Sequence, residues 1–360
     1  MSKQPSISPT ILITGSEGFI GDRLVHASYP HYRVASFDIA RPKKSPLLQD
    51  FIHCDMTSDA SVGRALSELR GKRGSHLASV VHLAAYYDFS GEPSPLYEEL
   101  TIEGTRRLLN GLREFDVDQF IFASTLLVMK PAEKNEEIDE NSPKEAAWDY
   151  PKSKLITERV VEQERGNMKA VILRVSGVYD DECSSLPIAQ HMRRIYEEQL
   201  ESYVFPGDPK KGQPFVHIDD FIGCIHRVIE LRDELGDFET FLIAEPDVVS
   251  YEELQAFLGS LIHGKEWPTV RIPKVVAKAR AWVQEKLSEE GEEPFIKPWM
   301  IDLADQHYPV EIDRAREKLG WEPKRRLRDT LSSMAADLLH DPEEWYERHG
   351  LPMPESKESR

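Results

Sequence analysis

Two side chains one helical turn apart, Tyr150 and Lys154 in the segment "YPKSK", are suited to moving a proton. A tyrosine phenol, with an unperturbed pKa of about 10, is a poor base at neutral pH. An ammonium four residues along the same helix face favours the phenolate and brings the group toward working pH. Such a pair arises often by chance, and its position gives it weight. It follows a strand that runs into "FASTLLVMK", which puts Ser124 and Thr125 at the carboxyl edge of a sheet, where ligands of open α/β sheets bind. Thr125 is placed to hydrogen-bond the oxygen that Tyr150 protonates or deprotonates. Otherwise Ser124 and Thr125 simply satisfy strand-end backbone groups.

Near the amino terminus, directly after the first apolar run, stands "TGSEGFIG", with Gly15, Gly18 and Gly21 spaced GxxGxxG. The first glycine permits a tight turn, the second lets backbone N–H groups approach a pyrophosphate, and the third lets the next helix pack on its strand, positive end toward the phosphates. Ser16, Phe19 and Ile20 share this turn. A glycine triplet alone is a weak signal; here it follows a strand, opens a helix, and the next strand ends in Asp38. A carboxylate at that position accepts hydrogen bonds from both ribose hydroxyls and repels a 2′-phosphate, favouring NAD over NADP. Arg41, Lys43 and Lys44 argue the other way if their loop folds back. Asp55, followed by Met56, either reaches the adenine amine or serves as a helix cap or loop acid. The positive nicotinamide of such a cofactor would favour the Tyr150 phenolate too.

The elements that must position these groups follow from hydropathy. Apolar runs at 10–14, 32–38, 79–85, 119–124, 170–175 and 240–245 alternate with helical patterns such as "SPLYEELTIEGTRRLLNGLREF" and "YPKSKLITERVVEQE". This alternation predicts strands buried on both faces: an α/β fold with a doubly wound parallel sheet, the Rossmann arrangement. After about residue 176 the chain turns rich in Pro, Trp and charge, predicting a smaller C-terminal substrate lobe. The expected division is a cofactor unit over 10–175, completed by about 215–245, a lobe over 176–214 and 246–340, and a polar tail over 341–360.

The chain has 360 residues, with 45 basic and 63 acidic side chains, a net charge of −18. That balance excludes a nonspecific nucleic-acid binder. The three cysteines, Cys54, Cys183 and Cys224, are widely spaced, with no CxxC pair for zinc or redox chemistry; no metal site is expected, and a reducing, cytoplasmic setting is. No apolar run approaches the roughly 18 to 20 residues of a membrane span. The stretch 271–287 sets Val275, Val276, Ala279, Trp282 and Val283 on one helical face, with Lys274, Lys278 and Lys286 on others. It either packs on the body of the protein or lies on a membrane surface.

In its order of glycine triplet, "VVHLAA", strand-end Ser/Thr, YxxxK, "LRVSGVY", "PFVHIDD" and "LGWEP", the chain resembles the extended short-chain dehydrogenases/reductases, in particular the NAD-dependent epimerase/dehydratase family, from about residue 10 to 330. The resemblance implies that Gly15, Gly18 and Gly21 hold the pyrophosphate, Asp38 the ribose, and His82 to Ala85, hence Leu83 and Ala84, line the cofactor. Thr125, Tyr150 and Lys154, with Ser124 beside them, become the catalytic group, and Lys154 also holds the nicotinamide ribose. A homodimer through about 96–115 and 150–165 is implied as well, although those apolar positions equally suit the subunit's own core.

Departures from the family bear on substrate. Leu126 and Leu127 stand where sugar-nucleotide 4,6-dehydratases carry an Asp-Glu pair. Gly177 replaces an asparagine that binds diphosphate, and Gln213 an arginine that pairs with phosphate; Lys210 and Lys211 lie near enough in sequence to substitute. Met129, Lys130 and Thr101 also differ from the family pattern. The loop "AAYYDFSG" offers Tyr86, Tyr87 and Phe89, which either bind a flat or apolar substrate face or close over the nicotinamide. The leading expectation is an NAD-dependent oxidoreductase or epimerase acting on a secondary alcohol or ketone of sugar-like or nucleotide-sugar type. The alternatives are a 3β-hydroxysteroid dehydrogenase-like or carbonyl-reducing enzyme with an apolar substrate, and a non-catalytic NAD-binding sensor.

Overall fold

The computed structural model describes residues 8–42, 50–88, 91–133, 136–287 and 296–354, with the backbone alone at 283–287. Seven parallel strands form one sheet: β1 (Thr10–Thr14), β2 (Arg33–Asp38), β3 (Phe51–His53), β4 (Ser79–His82), β5 (Gln119–Thr125), β6 (Lys169–Val175) and β7 (Phe238–Ile243). Their spatial order is β7-β6-β5-β4-β1-β2-β3, the doubly wound order that reverses direction between β1 and β4 and opens a crevice at their carboxyl ends.

Alternate residues of each strand feed two apolar layers. Ile11, Ile13, Val81, Ile121 and Leu173 pack on one face with α1 (Phe19–Ser28), α6 (Ile218–Glu230) and α10 (Asp313–Leu319). Leu12, Val80, Phe120, Phe122 and Ile172 pack on the other with α2 (Asp59–Arg73), α3 (Glu103–Leu112) and α4 (Asp149–Glu164). The helical pattern expected around 96–115 is interrupted at its start, where Tyr97–Ile102 form a π-helical turn before α3. Leu83 to Ala85, expected as part of a continuous apolar run, leave the sheet after β4 and pass beside the β1–α1 turn.

The lobe has its own core, built by α5 (Leu186–Tyr196), α7 (Tyr251–His263), α11 (Leu327–His340) and α12 (Pro342–Arg348). α7 starts at a capping box made by Ser250 and Glu253 and stops at Gly264 in the left-handed region. The polar tail expected over 341–360 is corrected for its first third. Pro at the first turn and the Asp341 cap start α12, and its Trp345 and Tyr346 are fully buried, because two large aromatics next to an apolar core gain more by burial than by solvation. Residues 355–360 lie outside the described residues.

Helix α8 (Lys274–Leu287) does not pack its apolar stripe on the body: Val275 is 79% exposed and Val276 57%. Lys274, Lys278 and Arg280 turn inward to Asp305, Asp302 and Glu201, and these ion pairs orient the helix. Asp302 belongs to α9 (Pro298–Leu303) and Asp305 follows it. The side chains of Val283 and Lys286 are outside the described residues. Among the described residues no helix is long and apolar enough to cross a membrane.

Candidate active site

The β1–α1 turn is built on close backbone contacts. Gly15 sits at φ +69°, its N–H donating to the Phe37 carbonyl (2.9 Å), and a Cβ there would lie 2.8 Å from the Ala84 nitrogen. A Cβ on Gly21 would come within 2.0 Å of the Gly15 carbonyl oxygen. Gly18, the N-cap of α1, is the open one: its nearest neighbour would be 3.4 Å away. The Asp38 carboxylate faces this turn, accepting from the backbone N–H of Glu17 (3.0 Å) and of Ala40 (2.9 Å). Burial first, then the neighbouring Asp38, raises the Glu17 carboxyl.

Thr125, at the end of β5, accepts from the Leu127 N–H (3.3 Å), which starts a short 3₁₀ turn over Leu126–Val128. Tyr150 lies in the first turn of α4. Burial raises its phenol, and a hydrogen bond from Thr125 opposes that rise. One turn on, the Lys154 ammonium donates to the Ala123 carbonyl (2.8 Å) and sits 4.8 Å from the centre of the Phe122 ring and 5.9 Å from that of Tyr150. Burial pulls this ammonium down to about 7, against the pull of Glu158. The group is therefore a neutral phenol, a hydroxyl and a lysine poised near neutrality, placed at a sheet edge to pass a proton to or from one oxygen.

A cavity of about 730 Å³ opens from these groups toward the lobe. Its lining brings together Gly15, Gly18, Phe19, Ile20, Gly21, Leu83 and Ala85 from around the glycine turn, Ser124, Thr125, Tyr150 and Lys154, and, among others, Tyr87, Asp88, Leu126, Leu127, Gly177, Gln213, Phe215 and Tyr308. Lys154 is the single cation among the described lining residues; neither Lys210 nor Lys211 reaches it. Gly177 has a local reason to lack a side chain, since a Cβ would sit 2.8 Å from the Phe215 ring.

Other candidates lie elsewhere. Ser16, Asp38, Asp55, Met56, Ala84 and Tyr86 do not line the cavity. Asp55 accepts from the Thr57 N–H (2.9 Å) and hydroxyl (2.7 Å), while Ser58 caps α2, so Asp55 acts here as a loop acid. Met56 is buried against Gly104. His82 is buried between the Thr14 hydroxyl (2.7 Å) and the Thr105 hydroxyl (2.9 Å), a brace from β1 to α3 whose imidazole burial pulls down to about 3. The aromatic loop splits. Tyr87 packs edge-on to Tyr150 at 4.6 Å, whereas Tyr86 packs on Tyr97. Trp148 joins Tyr150 to Trp299 of α9 through ring contacts of 5.5 and 4.9 Å. Phe89, Lys43 and Lys44 lie outside the described residues, and Arg41 is exposed.

Two residues had no place in the sequence reading. Arg174 of β6 and Glu158 of α4 form a buried bidentate pair (3.0 and 2.8 Å), and the Ser124 hydroxyl donates to the same carboxylate (2.6 Å). The available signal was an arginine inside the apolar run "AVILRV", because a buried guanidinium requires a carboxylate partner.

Residues 11–244 match the model of the NAD dependent epimerase/dehydratase family. Short-chain dehydrogenase/reductase family 42E member 1 of Bos taurus is 26% identical over 383 aligned positions, covering 97% of this chain and 90% of its own. The decarboxylating sterol-4-alpha-carboxylate 3-dehydrogenase of Candida albicans is 27% identical over 356, covering 91% and 98%. Among solved structures, UDP-glucose 4-epimerase of Thermotoga maritima with UDP-glucose is similar at TM-score 0.66 and 22% identity, over 92% of this chain and 99% of its own. MoeE5 in complex with UDP-glucose and NAD is similar at TM-score 0.66 and 19% identity, over 94% and 99%. At these identities the structural likeness establishes a shared fold.

Proposed function

The chain belongs to the NAD dependent epimerase/dehydratase family of extended short-chain dehydrogenases/reductases, and on that premise we propose that it oxidises a secondary alcohol, or reduces the matching ketone, with Tyr150 as the acid–base group. The observation that carries the reading is the meeting of Thr125, Tyr150 and Lys154 in one cavity with the glycine turn.

The turn fits a dinucleotide: Gly18 leaves the approach open where a Cβ would intrude, and Asp38 stands beside it. Gly15, Ser16, Gly18, Phe19, Ile20 and Gly21 would hold the pyrophosphate, Asp38 the adenosine ribose, and Leu83 to Ala85 the nicotinamide half. NAD supplies the hydride acceptor and a positive ring. Tyr150 takes the hydroxyl proton, Thr125 holds the same oxygen, and the Lys154 charge favours the phenolate. The cofactor unit is assigned to 10–175 with 215–245, and substrate selection to the lobe over 176–214 and 246–340, on which α12 packs.

For substrate we favour an apolar alicyclic alcohol over a nucleotide sugar. Leu126, Leu127, Gly177 and Gln213 stand where diphosphate-binding or eliminating members of the family carry polar or charged groups, and the one cation among the described lining residues is already bonded to the Ala123 carbonyl. A sterol dehydrogenase among the relatives supports this choice. The family also motivates a homodimer through about 96–115 and 150–165, and the three free cysteines motivate a cytoplasmic setting. Leu108, Leu109, Leu112, Val160 and Val161 face the subunit's own core, so pairing would use the exposed Ile156 and the polar positions beside it. Light scattering checks the dimer.

The test is formation of reduced cofactor by the full chain with NAD and a panel of a 3β-hydroxysteroid, UDP-glucose and a small hydroxy acid. Tyr150→Phe should lose at least about a hundred-fold in turnover while still being stabilised by NAD. Undiminished turnover in that variant would remove Tyr150 from the chemistry, and turnover of UDP-glucose alone would replace the substrate class.

A further inference from the structure

Tyr150, Lys154 and Glu158 recur every four residues along α4 and share one face. Lys154 is tied to the Ala123 carbonyl and Glu158 to the Ser124 hydroxyl, so successive turns of the helix grip successive residues of β5, and the next residue is Thr125. Arg174 is the cross-strand register partner of Ser124, and it closes on the same carboxylate from β6. All four groups are buried: Ser124 is 1% exposed, Lys154 4%, Glu158 5% and Arg174 2%. The remaining Arg174 nitrogen donates to the Met129 Sδ and the Glu140 carbonyl, both at 3.3 Å, which gives the departure at Met129 a structural partner.

We propose that Glu158 is a positioning residue for the reaction: its carboxylate, fixed by Arg174 and Ser124, holds the strand-to-helix register on which Thr125 and Tyr150 meet and lends the buried Lys154 ammonium, one turn away, a counter-charge. The proposal rests on the roles given above to Tyr150 and Lys154. A glutamine in place of Glu158 could still accept from Ser124 and from one side of the Arg174 guanidinium, but its –NH2 cannot accept the second guanidinium bond, and it carries no charge. Burial works against the ammonium, and Glu158 is the group that opposes it. Among the described residues, the other charged or titratable groups beside the pair include Arg174 of β6, bonded to the carboxylate itself, His82 of β4, held neutral by burial, Tyr150 on the same helix, and Lys144, whose ammonium is 3.8 Å from the Glu158 carboxylate and whose side chain is 44% exposed. None of them supplies a negative charge while Tyr150 is protonated. At the spacing of an i,i+4 pair, an attraction of this kind corresponds to about one to two pH units.

The experiment is NMR titration of the Lys154 side chain in full-length protein labelled at lysine, the signal being assigned by its absence from Lys154→Met. Glu158→Gln should lower the Lys154 midpoint by about one to two pH units. Glu158→Asp, which retracts the charge by one methylene, should lower it by less than half as much, and Ser124→Ala should shift it less than Glu158→Gln does. An unmoved midpoint in a folded Glu158→Gln variant overturns the proposal, and so does a Ser124→Ala shift as large as that of Glu158→Gln. Should Glu158→Gln fail to fold, Glu158→Asp decides alone: a midpoint at or above the parent's overturns it. With turnover, the rate of alcohol oxidation by Glu158→Gln should need higher pH by a similar shift. The titration is read without catalysis, so a Tyr150→Phe variant that stays active would sink the function proposed above while leaving the Lys154 midpoint as a separate result.

Discussion

The three glycines of the β1–α1 turn should separate into two kinds when each is changed to alanine. At Gly21 the added Cβ would stand 2.0 Å from the Gly15 carbonyl oxygen and 2.8 Å from the Ser16 Cα. Both are backbone atoms, so no side-chain rotation relieves the clash, and the helix must shift on its strand. Overpacking of this order costs about 3 kcal/mol. With an unfolding entropy of about 2.1 cal/mol/K per residue, that cost corresponds to a fall in Tm of roughly 4 °C for a chain of this length. At Gly18 the nearest atom would be 3.4 Å away, an ordinary contact, and alanine in place of glycine at an N-cap costs about 1 kcal/mol at most. The new methyl instead occupies the approach to the α1 amino terminus, so the loss should appear in cofactor affinity, at least about ten-fold or 1.4 kcal/mol. Thermal melts with and without NAD measure both quantities on each variant. Gly21→Ala should melt lower without NAD; Gly18→Ala should melt almost normally but gain much less from NAD. The reasoning is refuted if Gly18→Ala is as unstable as Gly21→Ala while binding NAD as the parent does.

Two further outcomes concern the lobe. Glu245 is buried, accepting from the Tyr179 hydroxyl (2.7 Å) and the Leu327 N–H (2.9 Å), and burial pushes its carboxyl up to about 7. Because the folded value lies above the unfolded one, its contribution to stability is fully present below about pH 4.3 and is lost as pH rises to 7, at most about 3 kcal/mol. Glu245→Gln should flatten that slope, as read by urea unfolding at pH 5 and pH 7.5; an equal slope in parent and variant would assign it to other groups. Trp345→Ala should cost about 3 to 5 kcal/mol by emptying the lobe core, and a loss under about 1 kcal/mol in denaturant titration would contradict the packing described.

The fold was readable because strands buried on both faces leave continuous apolar runs, and a parallel sheet needs a helix between each pair. The run at 10–14 is β1 to the residue. The reading failed where tertiary contacts rather than local pattern decide. Periodicity shows that α8 is amphipathic but not which face turns inward; the ion pairs to Asp302, Asp305 and Glu201, distant in sequence, settle that. Trp345 and Tyr346 sit in a charged segment whose composition suggests a tail, and their burial depends on α11 being beside them. At the site, the turn and the Tyr-Lys pair were legible because their spacing is local chemistry. His82 was misassigned, since being next to the cofactor loop in sequence does not say that its ring points into the core between Thr14 and Thr105. Glu158 and Arg174 were overlooked because a buried ion pair is written in two places at once.

The last helix ties back to the cavity. His349, just beyond α12, has one ring nitrogen 2.6 Å from the Trp345 carbonyl oxygen and the other 3.0 Å from the Cys183 carbonyl oxygen. Cys183, at φ +62°, lies in the loop whose next residues, Ser184, Ser185 and Pro187, line the cavity. The region matched by the family model ends at 244, so the far wall of the pocket is steadied by a stretch that the family pattern does not cover. Substrate preference can therefore drift through changes that never touch a substrate, and a substitution in α12 or at His349 reaches the cavity wall through the Cys183 loop.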